Sequence, residues 1–155
     1  MRQFDNSTIR QLSHETTISH SPTETSKLAQ DLASQIKPGS ILALCGDLGS
    51  GKTTFTQSLA KALGITQRVT SPTFILMRQY PLPQSSGMFY HLDLYRIGSP
   101  EDIKSIDLEE LIAEGTNIIV IEWPEKIETI LPPHTLKIYF KTTSATTREI
   151  TLSSL

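Results

Sequence analysis

The chain has 155 residues, the usual length of one domain, and its 37% hydrophobic and 19% charged residues are typical of a soluble globular protein. A formal net charge of −2 excludes a global basic field for nucleic acid, so any contact with RNA has to be local or made through a partner. The single Cys45 excludes an internal disulfide framework and favours a reducing compartment. No signal segment or bilayer-length apolar run is visible, and we therefore expect a cytoplasmic protein without membrane contact.

The first half of the chain predicts two helices around one buried strand. Residues 1–13 have weak patterning, which indicates a poorly ordered arm or an added strand, and we expect a loosely ordered N-terminal arm to extend over 1–16. The sequence S-P-T-E at 21–24 predicts a capping box with proline at the first helical position, and a helix that continues to about Ile36. The apolar residues 40–45 predict a central strand. A glycine-rich loop and a helix over 51–63 follow.

The second half predicts a hairpin, short helices and a final meander. A turn rich in proline and serine separates two predicted strands, which indicates a β-hairpin. Helices and strands alternate early and strands dominate late, so we expect an α/β fold with a mixed sheet flanked by helices, as one domain over 1–155. The predicted segments are strands at 73–80, 88–95, 117–121, 135–141 and 148–152, with short helices from Ser99-Pro100 and over 107–114.

Residues 46–53 read G-D-L-G-S-G-K-T and match the phosphate-loop motif G-x-x-x-x-G-K-[ST] in full. Glycines let the backbone aim successive N–H groups at phosphate oxygens, and the following helix adds its positive N-terminal end. Lys52 is expected to reach the β- and γ-phosphates, and the Thr53 hydroxyl to coordinate magnesium. The motif predicts a P-loop NTPase-like fold that binds ATP and Mg²⁺. The expected binding residues are Gly46, Gly49, Ser50, Gly51, Lys52, Thr53 and Thr54.

Two acidic residues are candidates for the chemistry. Glu122 ends the apolar run 118–121, and in P-loop ATPases an acid at this place holds magnesium or orients the attacking water. Asp93 lies in the alternating segment H-L-D-L-Y-R and is a second candidate near the metal. We assign Thr53 and Glu122 to the metal, and Lys52, Glu122 and Asp93 to catalysis. The competing interpretations are a solvated acid at a strand end for Glu122 and a polar sheet face for Asp93.

Several neighbouring residues allow two interpretations. Arg96 could support the phosphates or pair with an acid, and Trp123 could pack on a ligand or cap the core. Cys45 is interpreted as a small residue that ends a core strand rather than as a redox-sensitive thiol. Residues 70–74, which we call the switch segment, could sense the nucleotide or form an ordinary turn.

The order of these motifs closely resembles the bacterial TsaE family, formerly YjeE, from about Thr17 to Leu152. The segments E-W-P at 122–124 and H-L-D-L-Y-R at 91–96 make the resemblance specific, because a phosphate loop alone names only a superfamily. The resemblance implies a small ATPase of tRNA threonylcarbamoyladenosine biosynthesis that docks on the TsaB–TsaD pair. It would support threonylcarbamoyl transfer to the adenosine next to the anticodon without performing that transfer. Its contact with tRNA would therefore be indirect, through the complex.

The resemblance also implies roles for single residues. Lys52 and Thr53 match the family's phosphate and magnesium residues, and Glu122 matches its acidic magnesium residue. Asp93 matches a second acid implicated in activity, and S-P-T-F at 71–74 resembles a switch-like loop. The implied activity is ATP hydrolysis that is slow alone and accelerated by the partners.

Three other functions are consistent with a phosphate loop. A small-molecule kinase usually needs an arginine-rich lid or an acceptor-binding module, whereas only six arginines are scattered through this chain. A GTPase needs an Asn-Lys-x-Asp guanine reader, which the sequence lacks. A nucleotide-dependent adaptor, whose turnover matters little, is the third alternative.

Lys52→Ala is expected to abolish ATP binding or to weaken it severely, because the phosphates lose the only cation that the motif supplies. Isothermal titration calorimetry of wild type and variant measures this change. Equal affinities would refute the assigned role.

Overall fold

The computed structural model describes residues 14–154, so the first 13 residues of the expected N-terminal arm lie outside the described part. Seven strands occur there: β1 (Glu15–Ser19), β2 (Ile41–Gly46), β3 (Met77–Pro81), β4 (Met88–Asp93), β5 (Ile118–Glu122), β6 (Leu136–Thr142) and β7 (Arg148–Ser154). The α-helices are α1 (Pro22–Ala33), α2 (Lys52–Ala62) and α3 (Leu108–Ala113), and 3₁₀ helices cover Pro100–Ile106 and Pro124–Ile130.

The strands form one mixed sheet in the order β1-β7-β6-β2-β5-β4-β3. The four central strands, β6, β2, β5 and β4, run parallel, whereas β1, β7 and β3 are antiparallel to their neighbours. Helical crossovers bring strands back in parallel, and the short turns before β4 and β7 reverse the chain direction. The predicted α/β fold with a mixed sheet is confirmed. Parallel pairing also gathers the carboxyl ends of β2, β5 and β4 at one edge.

Two apolar clusters cover the two faces of this sheet. One joins α1 and α2 to strand residues such as Phe89 and Val120. The other joins α3 and both 3₁₀ helices to residues such as Leu92 and Ile121. Because side chains alternate between the faces, Glu122, two residues after Val120, lies on the face that carries α2. His91 and Asp93 lie on this face too, because they follow Phe89 by two and four residues on β4 and Phe89 packs in the cluster that contains α2.

Helix α1 begins as its sequence predicts, with Ser21 as the cap and Pro22 as the first helical residue. The Ser21 hydroxyl accepts a hydrogen bond from the Glu24 backbone N–H at 3.2 Å, and the Glu24 carboxylate accepts one from the His20 N–H at 2.7 Å. The helix begins at Pro22 and ends at Ala33, three residues before the predicted end at Ile36. The chain tightens there, since the Leu32 carbonyl accepts from the N–H groups of both Gln35 and Ile36.

The strand predicted over residues 73–80 is wrong in its first half, because β3 begins only at Met77. A turn bond from the Ile75 N–H to the Pro72 carbonyl occupies the preceding segment, and Leu76 is left-handed with φ 65°. Side-chain contacts to Asp93 hold this turn, and strand propensity alone could not reveal them.

Two further differences concern the ends of the sheet and the site. Glu15 and Thr16, which belong to the suggested arm, pair with Leu152 and Thr151 on β7. The 3₁₀ helix after Trp123 was not predicted, since it has no periodic apolar pattern. No helix within residues 14–154 combines the length and apolar character needed to cross a membrane.

Gly87→Ala is expected to destabilise the fold by roughly 1–3 kcal/mol or more, because the Cβ would lie 1.9 Å from the backbone carbonyl oxygen of Thr116. Urea unfolding measures the loss. Gly98→Ala is the control, since its Cβ would meet only the Asp102 carboxylate at 3.5 Å. Equal midpoints for the two variants would contradict the expectation.

Candidate functional site

The phosphate loop, residues 46–53, connects β2 to α2 at the carboxyl edge of the sheet. Gly49 and Gly51 have φ values of 76° and 102°, a left-handed conformation that side chains rarely adopt. A Cβ on either residue would meet no atom within 4 Å, so the space beside the loop is open. The first backbone N–H groups of α2 have no acceptor within the helix, and they lie at the same end of the loop. Loop and helix end therefore fit an anionic phosphate group.

Lys52 is buried at the start of α2, with 4% of its surface exposed. Its ammonium donates hydrogen bonds to the carbonyls of Gly46 at 2.6 Å and Asp47 at 2.9 Å, and lies 4.4 Å from the Trp123 ring centroid. Burial lowers the pKa of Lys52, whereas the charge of Glu122 acts in the opposite direction. No carboxylate among residues 14–154 forms an ion pair with this ammonium, so it suits a phosphate.

Glu122 connects β5 to the phosphate loop through one oxygen. Its Oε1 accepts hydrogen bonds from the Thr53 hydroxyl at 3.0 Å and from His91 Nε2 at 2.8 Å. Glu122 is 3% exposed and His91 is fully buried, while His91 Nδ1 has no partner. Because an ionised carboxylate only accepts, Nε2 carries the imidazole proton in this pair. Glu122 is thus held in place, with Oε2 left for other ligands.

Asp93 lies directly beside Glu122, since the two residues are register partners on β4 and β5. Its Oδ2 accepts from the Thr73 hydroxyl at 2.7 Å and from the Ser71 hydroxyl at 3.5 Å. Its Oδ1 accepts from the Tyr95 backbone N–H at 3.0 Å. Asp93 therefore ties the switch segment to the same sheet edge as Glu122.

The oxygen ligands at this edge fit magnesium. The Thr53 hydroxyl and the Glu122 carboxylate are hard donors, and Asp93 is adjacent. Residues 14–154 contain no group of three or more His, Cys, Asp or Glu side chains that could hold a metal by themselves. Magnesium is usually bound by one or two carboxylates together with phosphates and water, so a sparse set is the expected one.

The predicted site residues are mostly brought together. Gly46, Ser50, Lys52, Thr53 and Glu122 are linked by direct contacts, with the Ser50 hydroxyl 3.5 Å from the Lys52 ammonium. Gly49 and Gly51 shape the turn, and Asp93 is adjacent through strand pairing. Thr54 is exposed on the first turn of α2.

Three residues left open by the sequence have defined surroundings. Trp123 is half-buried and left-handed with φ 60°, and it packs on the core while its ring contacts Lys52. The Arg96 guanidinium lies 4.4 Å from the Phe74 ring centroid, so this arginine contacts the switch segment. Burial raises the pKa of the Cys45 thiol to about 11, which supports its structural interpretation.

Two cations that sequence reasoning missed bind backbone carbonyls around the site. Arg148, on β7, donates to the carbonyls of Gly49 and Ser50, and Lys126 donates to those of Tyr95 and Ile97. Carbonyl acceptors exist at every residue, so no residue-type pattern could have identified these partners. Arg148 is also 98 positions away from Ser50.

The mixed sheet, the phosphate loop after a central parallel strand and the carboxylate that ends the neighbouring strand define an α/β protein of the P-loop NTPase type. A family model described as "Threonylcarbamoyl adenosine biosynthesis protein TsaE" matches residues 19–150. The chain belongs to the TsaE family.

Individual relatives agree with this assignment. The tRNA threonylcarbamoyladenosine biosynthesis protein TsaE of Bacillus subtilis is 39% identical over 136 residues, covering 86% of this chain and 82% of the relative. The protein of the same name from Treponema pallidum is 36% identical, with 88% and 98% covered. The crystal structure of YdiB from Bacillus subtilis superposes with a TM-score of 0.75 at 35% identity, covering 92% of this chain and 86% of that one. The resemblance inferred from the motifs is confirmed.

Proposed function

We propose that this protein binds ATP with Mg²⁺ and hydrolyses it slowly, as the ATPase subunit that acts on a TsaB–TsaD complex during threonylcarbamoyladenosine modification of tRNA. The observation that carries the proposal is the hydrogen bond between Thr53 of the phosphate loop and Glu122 at the end of β5. Family membership supplies the pathway. The single cysteine fits a cytoplasmic location.

The proposed roles follow from the contacts. Lys52 binds the phosphates and neutralises part of their charge, since it is buried without a carboxylate partner. Thr53 and Glu122 would hold magnesium, which when bound neutralises the charge that develops on the phosphates. His91 fixes the orientation of Glu122 through its bond to Oε1. Asp93 keeps the switch segment against the site through Thr73.

We infer slow hydrolysis by the isolated protein from the contacts of two arginines, Arg148 and Arg96. An arginine that contacts the transferred phosphate is worth about 10³–10⁵ in rate where it is present. Arg148 donates hydrogen bonds to the carbonyls of the phosphate loop, and Arg96 packs on the Phe74 ring. A partner that adds a cation, or that rearranges the switch segment, would therefore accelerate the reaction.

The kinase alternative is not favoured, because the relatives are named as tRNA threonylcarbamoyladenosine biosynthesis proteins. An adaptor whose turnover matters little remains a distinct hypothesis. It predicts that a variant lacking hydrolysis still supports full threonylcarbamoyladenosine formation by the complex, which an assay of that product with Glu122→Gln decides.

Glu122→Gln is expected to leave nucleotide binding largely intact and to reduce ATP turnover in the presence of TsaB–TsaD by about tenfold or more. The amide keeps the shape but loses the charge that orients magnesium or water. Glu125→Gln is the control, since it removes an exposed negative charge that also acts on Lys52. An unchanged hydrolysis rate for Glu122→Gln would remove its catalytic role. A loss of affinity like that of Lys52→Ala would make Glu122 a structural residue.

Partner affinity is expected to depend on the nucleotide, because the switch segment is linked through Asp93 to the sheet edge that carries Glu122. By linkage, ATP should strengthen partner binding as much as the partner strengthens ATP binding. The measurement is a TsaB–TsaD titration with a non-hydrolysable ATP analogue, with ADP and without nucleotide. Indistinguishable affinities in the three conditions would exclude a nucleotide-driven switch. Hydrolysis assays with and without TsaB–TsaD complete the test.

A further inference from the structure

Arg148 bridges two parts of the protein that are distant in sequence. It is the first residue of β7, at the end of the β6–β7 hairpin. Its Nε donates to the Ser50 carbonyl at 3.2 Å, and Nη2 to the Gly49 carbonyl at 3.3 Å. Its Nη1 donates to the carbonyls of Ser144 at 3.0 Å and Thr147 at 3.1 Å. One guanidinium thus joins the hairpin to the phosphate loop through four backbone carbonyls.

These contacts hold two consecutive peptide groups in the middle of the loop, Gly49–Ser50 and Ser50–Gly51. In a trans peptide the carbonyl and the following N–H point in opposite directions. No cis peptide bond occurs within residues 14–154, so holding the Ser50 carbonyl aims the Gly51 N–H away from Arg148. Holding the Gly49 carbonyl fixes the Ser50 N–H, which donates to the Asp47 carbonyl at 3.1 Å.

Lys52 holds the first part of the loop through the carbonyls of Gly46 and Asp47, whereas Arg148 holds the carbonyls of Gly49 and Ser50. Gly49 and Gly51 allow the backbone more rotation than residues with a side chain, and both positions border open space. An anion site works best when its N–H groups need no reorganisation on binding. A cation outside the loop that binds its carbonyls satisfies that requirement and leaves the inner side free for the ligand.

We propose that Arg148 is a positioning residue that holds the phosphate loop ready for an anionic phosphate ligand. The inference rests on the proposed function, because it assumes that residues 46–53 bind a nucleotide. Lysine could not replace arginine fully, since a single ammonium cannot span four carbonyls in the fork geometry of a guanidinium.

Arg148→Met is the decisive variant, and Arg148→Lys tests whether one restored contact gives partial rescue. Lys141→Met is the matched control, because it removes the same charge from an exposed position on the same hairpin. We expect Arg148→Met to weaken ADP and ATP-analogue binding by about tenfold to a hundredfold, consistent with losing charge-assisted hydrogen bonds. Arg148→Lys should be intermediate and Lys141→Met close to wild type, as measured by calorimetry.

Amide hydrogen exchange without nucleotide separates positioning from general stability. Arg148→Met should speed exchange in residues 49–51 while the central strands β2 and β5 keep their protection. If Arg148→Met does not fold, Arg148→Lys decides by the same two readouts. Wild-type affinity and unchanged loop exchange in the folded variant would overturn the inference and leave the proposed function intact. Failure of the wild-type protein itself to bind nucleotide would instead overturn the proposed function.

Discussion

The parallel pairing of β2 with β5, and of β5 with β4, is the constraint on which the site depends. Leu44, Glu122 and Asp93 are register partners across these three strands. A shift of one residue in any pairing would move Glu122 or Asp93 to the opposite face of the sheet, away from α2. The apolar residues before each acid fix the register because they fill the two core clusters. Packing of the core therefore sets the distance between the phosphate loop and its carboxylate.

The same arrangement places charged groups where burial is unfavourable. Lys52, Glu122 and Asp93 are each at most 4% exposed, and His91 is fully buried. Removing one partner from such a set leaves an uncompensated polar group, which typically costs about 1–3 kcal/mol or more for a charge. Burial of these charged groups therefore lowers the stability of the fold, and the hydrogen bonds that Thr53 and His91 donate to Glu122 offset part of this loss.

Most of the fold could be predicted because its signals are local. The capping residues before α1, the apolar runs of β2 and β5, and the turn between β3 and β4 are each readable within a few residues. The phosphate loop and Glu122 were readable for the same reason, since motif and strand end are contiguous. The hydrogen bond of His91 to Glu122, and that of Thr73 to Asp93, depend on the pairing of β4 with β5 and on a non-periodic turn. Such contacts exist only in three dimensions, so one sequence could suggest the residues but not their partners.

The long sequence separation between the phosphate loop and Arg148 has a consequence for synthesis of the chain. The loop leaves the ribosome before β6, which pairs with β2, and before Arg148, which begins β7. At about 5–20 residues per second, the loop precedes its last contacts by several seconds. During that interval β2 lacks first both of its parallel neighbours and then β6 alone, and the loop lacks the Arg148 guanidinium. The full capacity to hold a ligand would therefore arise only after β7 has been made, so tight occupancy by a nucleotide would report that synthesis has passed Arg148.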